Sequence, residues 1–199
     1  MFARAAEQMM GEMGTATAAK SLPAWHRRDL RRPSTLLAAI VAFCLSAPAA
    51  IVVSCNVHEI GHALVATPLG WEVERINLCL PFGGSVEYAR IGTWAGNLQG
   101  YAGGFIAAAF LTSFYAFALA RPRRPLRGPT WWAAGLGIVI WVGPQMLIGI
   151  LEGVAAPGHS YADDFRDAPA LYGLVVVSVL SGALFHVWLW RSVLRSPGD

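Results

Sequence analysis

His58, Glu59 and His62 stand in the order H-E-x-x-H within the stretch NVHEIGHALVA. Residues four apart on a helix share a face, so two imidazoles at this spacing can bind one ion while the carboxylate between them projects beside it. Zinc suits such a pair, because it lowers the pKa of a bound water from about 15.7 towards about 7, and a neighbouring glutamate can then take the proton. The pattern predicts a zinc site with His58 and His62 as metal ligands and Glu59 as the catalytic base. A catalytic zinc also needs a third protein ligand and an open position. The competing reading is a solvated helix end with incidental His and Glu. Against it, the triplet closes a long apolar run, and ionisable groups in such a place are costly and mark function.

The elements that must position these residues follow from composition. The chain is 55% apolar and only 14% charged, with mean hydropathy +0.48, whereas a soluble domain carries about a quarter charged residues. The charges gather in short blocks between apolar stretches that approach the roughly 20 residues needed to cross about 30 Å of hydrocarbon. An integral, multi-pass membrane protein is therefore expected. The net charge of +3 and pI near 9 do not point to nucleic acid, since the basic residues flank apolar runs, where they set orientation and meet anionic lipid.

The expected fold is an all-α polytopic membrane protein of about four transmembrane helices with a small β-hairpin after the zinc-binding helix. The first span runs from about Leu36 to Val57 and continues into HEIGHALVATPLG, with Pro48 able to kink or split it and Pro68 and Gly70 ending it. WEVERINLCL and SVEYARIGTW alternate polar and apolar residues around the turn PFGG, which is a hairpin pattern. A hairpin edge cannot lie in lipid, so it belongs at the interface or against protein. Further spans are expected at about 98–120, 131–151 and 170–190. Residues 1–33 read as a flexible arm ending in a basic-aromatic collar (Trp25, His26, Arg27, Arg28, Arg31, Arg32), residues 34–195 as the membrane-embedded domain and 196–199 as a tail. Glu7 and Glu12 make the arm a poor secretory signal. Cys44, Cys55 and Cys79 are odd in number and show no CxxC pairing; Cys44 and Cys55, within or beside an apolar run, read as free thiols, and no disulfide framework is expected.

Four spans put the two termini and the loop at 121–128 on one face. That face holds Arg4, Lys20, Arg27, Arg28, Arg31, Arg32, Arg121, Arg123, Arg124, Arg127, Arg191 and Arg195, against Arg75, Arg90 and Arg166 on the other. The basic bias predicts cytoplasmic termini, with HEIGH towards the opposite face.

NVHEIGHALVA resembles the zinc-binding helix of the site-2-protease-like intramembrane zinc metalloproteases, nearest their small bacterial members. The resemblance implies a zinc endopeptidase of the bacterial inner membrane, acting in regulated intramembrane proteolysis on peptide bonds in or near membrane-spanning segments. It also implies an aspartate third ligand near the start of a later span. The matching segment is GHSYADDF, where Asp164 fits, with Asp163 as fallback. Tyr101-Ala102-Gly103-Gly104 looks like the family's small-residue motif in the span after the zinc helix, which makes Gly103 and Gly104 substrate-binding candidates; packing against the zinc helix is the other reading. The LDG-type signature of better-known members is absent, and their sites commonly open to the cytoplasm, unlike the orientation derived above.

Other residues keep two readings each. Glu152 and His159 are alternative third ligands. Gln99 and Gln145 orient substrate or a ligand, or simply link helices. Asp167 suits a helix start, and His186, beside Trp188 and Trp190, reads as interfacial. The strand at 84–91 either adds an extended substrate peptide at its edge or is structural. The expected partners are a membrane-protein or membrane-adjacent peptide substrate and the bilayer, with no nucleic acid; the sequence is silent on oligomeric state. The alternative function is a protease-derived membrane scaffold or chaperone that binds segments without cutting. A transporter would string polar residues across several spans, whereas here they gather at one depth.

Overall fold

Pro33 has no N–H to leave unpaired at a helix start, and it opens helix α1, Pro33–Ala66, directly after Arg32. A computed structural model of the chain describes residues 32–79, 83–91, 96–120, 128–154 and 165–194. Pro48 lies inside α1 without splitting it, so one continuous helix carries both the apolar run and H-E-x-x-H. Its 34 residues reach about 51 Å at 1.5 Å each, against about 30 Å of hydrocarbon. That spare length is enough for a single helix to cover a membrane's thickness and still carry His58, Glu59 and His62 beyond it. Thr67 ends it by bonding its hydroxyl to the Ala63 carbonyl at 2.9 Å. A 3-10 turn at Thr67–Leu69 follows, and Gly70 at φ 81° turns the chain through a conformation that a side chain disfavours.

The reversed chain forms an antiparallel hairpin, β1 (Glu72–Asn77) and β2 (Ser85–Arg90), with Asn77 opposite Ser85 and irregular register near Val73. Along β2 and its approach, Gly84, Val86 and Tyr88 are half-buried while Ser85, Glu87 and Ala89 are exposed. The period of two means one face of the strand lies inward. Glu72, Glu74 and Glu87 are all exposed.

Helices α2 (Gly96–Ala120), α3 (Pro129–Val139), α4 (Val142–Val154) and α5 (Ala170–Leu194) complete the mostly helical fold. Among the described residues, four helical stretches are long and apolar enough to cross a membrane: Pro33–Leu69, Leu98–Phe117, Pro129–Val154 and Ala170–Trp190. The number of candidate spans matches the expectation, and the third is broken. Pro144 offers no N–H to the carbonyl four residues back and its ring crowds that carbonyl. The chain turns at Ile140 and Trp141, with the Trp141 N–H reaching Ile138 O at 3.2 Å, before α4 begins.

Small residues let these helices approach closely, the packing mode by which helices associate where burial of oily side chains gives no advantage. A Cβ on Gly104 would collide with the Gln145 carbonyl and lie 2.5 Å from Gly149 Cα, and one on Gly100 would lie 2.5 Å from the Glu152 carbonyl. These contacts seat α4 on α2. Ala50, Leu111, Tyr115, Ile138 and Val139 form the core where α1, α2 and α3 meet. Helix α5 instead exposes Leu174, Val176, Val177, Leu180 and Leu184.

Two expectations are corrected. His186 is not interfacial but fully buried, its Nδ1 2.5 Å from the Tyr115 hydroxyl and its ring 5.0 Å from that of Trp132. Cys55 and Cys79 are not free thiols: they form a disulfide across 24 residues of sequence, because the hairpin folds back onto α1 and brings their Cα atoms to 5.9 Å. Cys44 is free and exposed. The arm, apart from Arg32 and Pro33, and the tail lie outside the described residues.

Candidate metal centre

His58 and His62 occupy successive turns on the inward face of α1, both buried, with ring centroids 4.6 Å apart and planes at 78°. Their room comes from α2. A Cβ on Gly103 would lie 2.5 Å from His62 Nε2 and 2.8 Å from His58 Cδ2, so only glycine fits beneath the two rings. Gly61 meets Gly103 from the α1 side, where its own Cβ would stand 3.1 Å from Gly103 Cα. Gly103 and Gly104, the substrate-binding candidates, therefore form a seam that admits the imidazoles on one side and α4 on the other.

Helix α4 brings Glu152 to the histidines. Its Oε2 is 2.8 Å from His58 Nε2 and 3.2 Å from His62 Nε2. The opposite nitrogen of each ring is held by an oxygen: His58 Nδ1 lies 3.0 Å from Gln145 Oε1, and His62 Nδ1 lies 2.8 Å from the Gln99 carbonyl. The Gln145 amide nitrogen donates to Ser54 Oγ at 3.0 Å, which fixes its oxygen towards His58. Both imidazoles thus present Nδ1 to an oxygen and turn Nε2 towards the Glu152 carboxylate, so that displacement of any Nε2 proton by a cation would leave two nitrogen ligands facing a common point. Metal-binding histidines characteristically donate their second N–H to an oxygen in this way, which fixes tautomer and ring orientation.

The donor set fits a cation. Ligand atoms of His58, His62 and Glu152 lie within 4.8 Å of one another. Tetrahedral zinc with bonds of about 2.0–2.2 Å separates its ligand atoms by roughly 3.4 Å. The 2.8 and 3.2 Å contacts need to open by only about 0.6 and 0.2 Å to reach that separation. Two nitrogens and one carboxylate oxygen are also the ligand types of a known class of catalytic zinc sites.

Glu59, 8% exposed, faces the hairpin. A Cβ on Gly84 would lie 2.5 Å from Glu59 Cγ and 2.6 Å from Cys79 Sγ, so the start of β2 passes directly over the carboxylate. The Cys55–Cys79 bond pins that crossing, because Cys55 is one turn before Glu59 on α1. The Cys79 N–H adds a bond to Asn56 Oδ1 at 3.0 Å. Cys55, Glu59 and Cys79 form a second group of ligand-type atoms, but its two sulfurs are bonded to each other. Further along β2, the Tyr88 hydroxyl accepts a hydrogen bond from Gln99 Nε2, and its ring meets Trp71 edge-on at 4.9 Å. Burial, reinforced by the charges of Glu59 and Glu152, pushes the Tyr88 phenol up to about 12.

The structure thus brings His58, Glu59 and His62 together. Asp164, Asp163 and His159 lie outside the described residues. Among the described residues, Glu152 is the carboxylate that joins both histidines. Gln145 orients His58, and Gln99 holds His62 through its main chain and Tyr88 through its side chain. Ser54, Tyr88 and the disulfide carried no expectation of a place in the site. Ser54 had a legible signal, since it lies four residues before His58 and shares its face. Comparison with known protein families, with curated proteins and with solved structures finds no match to this chain.

Proposed function

We propose that the chain is a multi-pass membrane zinc peptidase of the site-2-protease-like kind, with His58, His62 and Glu152 as metal ligands and Glu59 as general base. The observation that carries this reading is the convergence of His58 Nε2, His62 Nε2 and Glu152 Oε2 beside a buried Glu59. A bound zinc would supply an acidified water and polarise the scissile carbonyl. Glu59 takes the water proton and returns it to the leaving amine. Gln145 and Gln99 hold the imidazoles in the tautomer that leaves both Nε2 atoms free. A helical substrate hides its carbonyls in backbone hydrogen bonds and must unwind before attack, and the hairpin over Glu59 offers a wall for the extended segment. A scaffold that binds without cutting would have no use for a carboxylate held at this spot.

The Cys55–Cys79 disulfide supports the orientation drawn from the basic residues. Disulfides persist in oxidising compartments and are rare in the cytosol. Cytoplasmic termini and four spans put the hairpin and the histidines on the opposite, oxidising face, so the substrate enters from that side.

The test is cleavage of a reconstituted single-span reporter peptide by the wild-type chain and by Glu59→Gln. Loss of a general base costs on the order of 10²–10⁴-fold, and the variant should fall by at least that much while keeping its metal. Equal rates would refute the peptidase mechanism.

A further inference from the structure

We propose that the Tyr88 phenol is the hydrogen-bond donor to the peptide oxyanion formed during hydrolysis, an inference that rests on the peptidase reading above. Attack of water on an amide carbonyl moves a full negative charge onto its oxygen. A preorganised donor aimed at that charge is worth about 10²–10³-fold in rate. The described part of the site is rich in acceptors: the carboxylates of Glu59 and Glu152 and the Gln99 carbonyl. A neutral donor facing them would share that charge with the zinc that polarises the carbonyl.

Tyr88 has the position and the free hydrogen. It lies on the same inward face of β2 as Gly84 and Val86, and Gly84 abuts Glu59. Two inward positions further on, the phenol reaches Gln99, whose main-chain carbonyl holds His62. The strand therefore runs alongside α1 from the base towards the second histidine. Gln99 Nε2 donates into the phenol oxygen, which uses a lone pair and leaves the O–H hydrogen for another partner. Among the described residues, that hydrogen bonds to no acceptor. Trp71 braces the ring edge-on, so the phenol is held before substrate arrives. Both carboxylates of the centre act on it electrostatically, and it stays protonated far above neutral pH.

The experiment uses the full chain in detergent micelles with zinc bound. Two probes are compared on wild type, Tyr88→Phe and Gln99→Met: a Leu-Leu phosphinic pseudo-dipeptide, which presents a tetrahedral oxyanion, and the matching thiol dipeptide, which presents sulfur and no oxyanion. Tyr88→Phe should weaken phosphinate binding by about 10²-fold or more and leave thiol binding and zinc content unchanged. Gln99→Met keeps the main-chain bond to His62 and should show a smaller loss of the same kind. On the reporter peptide, Tyr88→Phe should lower kcat with little change in KM. If Tyr88→Phe fails to fold, difluorotyrosine at position 88, a stronger donor of nearly the same shape, should tighten phosphinate binding relative to wild type. Unchanged phosphinate affinity in Tyr88→Phe, or in the difluorotyrosine protein, overturns the proposal. That result beside an inactive Glu59→Gln leaves the peptidase reading standing, whereas an active Glu59→Gln removes both.

Discussion

Two buried histidine environments in this molecule differ in what surrounds the rings rather than in how deeply they lie. His58 and His62 turn their Nε2 atoms towards each other and towards Glu152, with Nδ1 of each fixed by an oxygen. His186, with no exposed surface, sits among Tyr115, Trp132 and Trp190. One arrangement gathers two ring nitrogens and a carboxylate at a point; the other uses an imidazole as a polar piece of aromatic packing that joins α5 to α2 and α3. Burial of an ionisable group in an apolar chain therefore makes a candidate metal site only when a second donor shares its focus. Gly103 makes the difference visible, since any side chain there would occupy the space beneath the His58 and His62 rings.

The comparison can be broken at either end. The largest effect is expected from Glu152→Ala, which removes the only described carboxylate at the focus. Zinc affinity and cleavage should fall together by more than 100-fold, exceeding the 10–100-fold typical of losing a residue that merely supports a ligand. Asp163→Ala and Asp164→Ala should retain zinc, and equilibrium dialysis of all three variants decides the third ligand. Gln145→Leu comes next. It deprives His58 Nδ1 of its acceptor and should weaken zinc binding by about 10–100-fold, measured by competition with a chelator. The smallest effect is expected from His186→Phe, which loses the bond to Tyr115. It should lower stability by about 0.5–1.5 kcal/mol in a thermal unfolding assay, with zinc content and cleavage per folded molecule unchanged. A loss of zinc in His186→Phe would dissolve the distinction between the two environments.

What the sequence revealed follows the range of the interactions. H-E-x-x-H is a local pattern, because helical spacing alone puts residues 58 and 62 on one face. The hairpin was legible from alternation and the turn PFGG, and the four apolar stretches from length. Pro144 signals the break in the third span, but that the break turns Gln145 onto His58 depends on packing. Glu152 meets His58 across 94 positions, through a glycine seam whose pairing no periodicity encodes. The Cys55–Cys79 bond needs the hairpin to fold back first. His186 was misread because α5 is apolar all round, so hydropathy could not tell its inward face from its outward one.

The claim on which all of this depends is that His58, His62 and Glu152 hold a catalytic metal while Glu59 does not. Metal analysis of the full chain, purified in detergent without added metal and measured alongside Glu59→Gln, tests it most directly. The account predicts about one zinc per chain in both proteins. Wild-type protein that neither contains zinc nor takes it up on titration, or loss of zinc in Glu59→Gln, would contradict it.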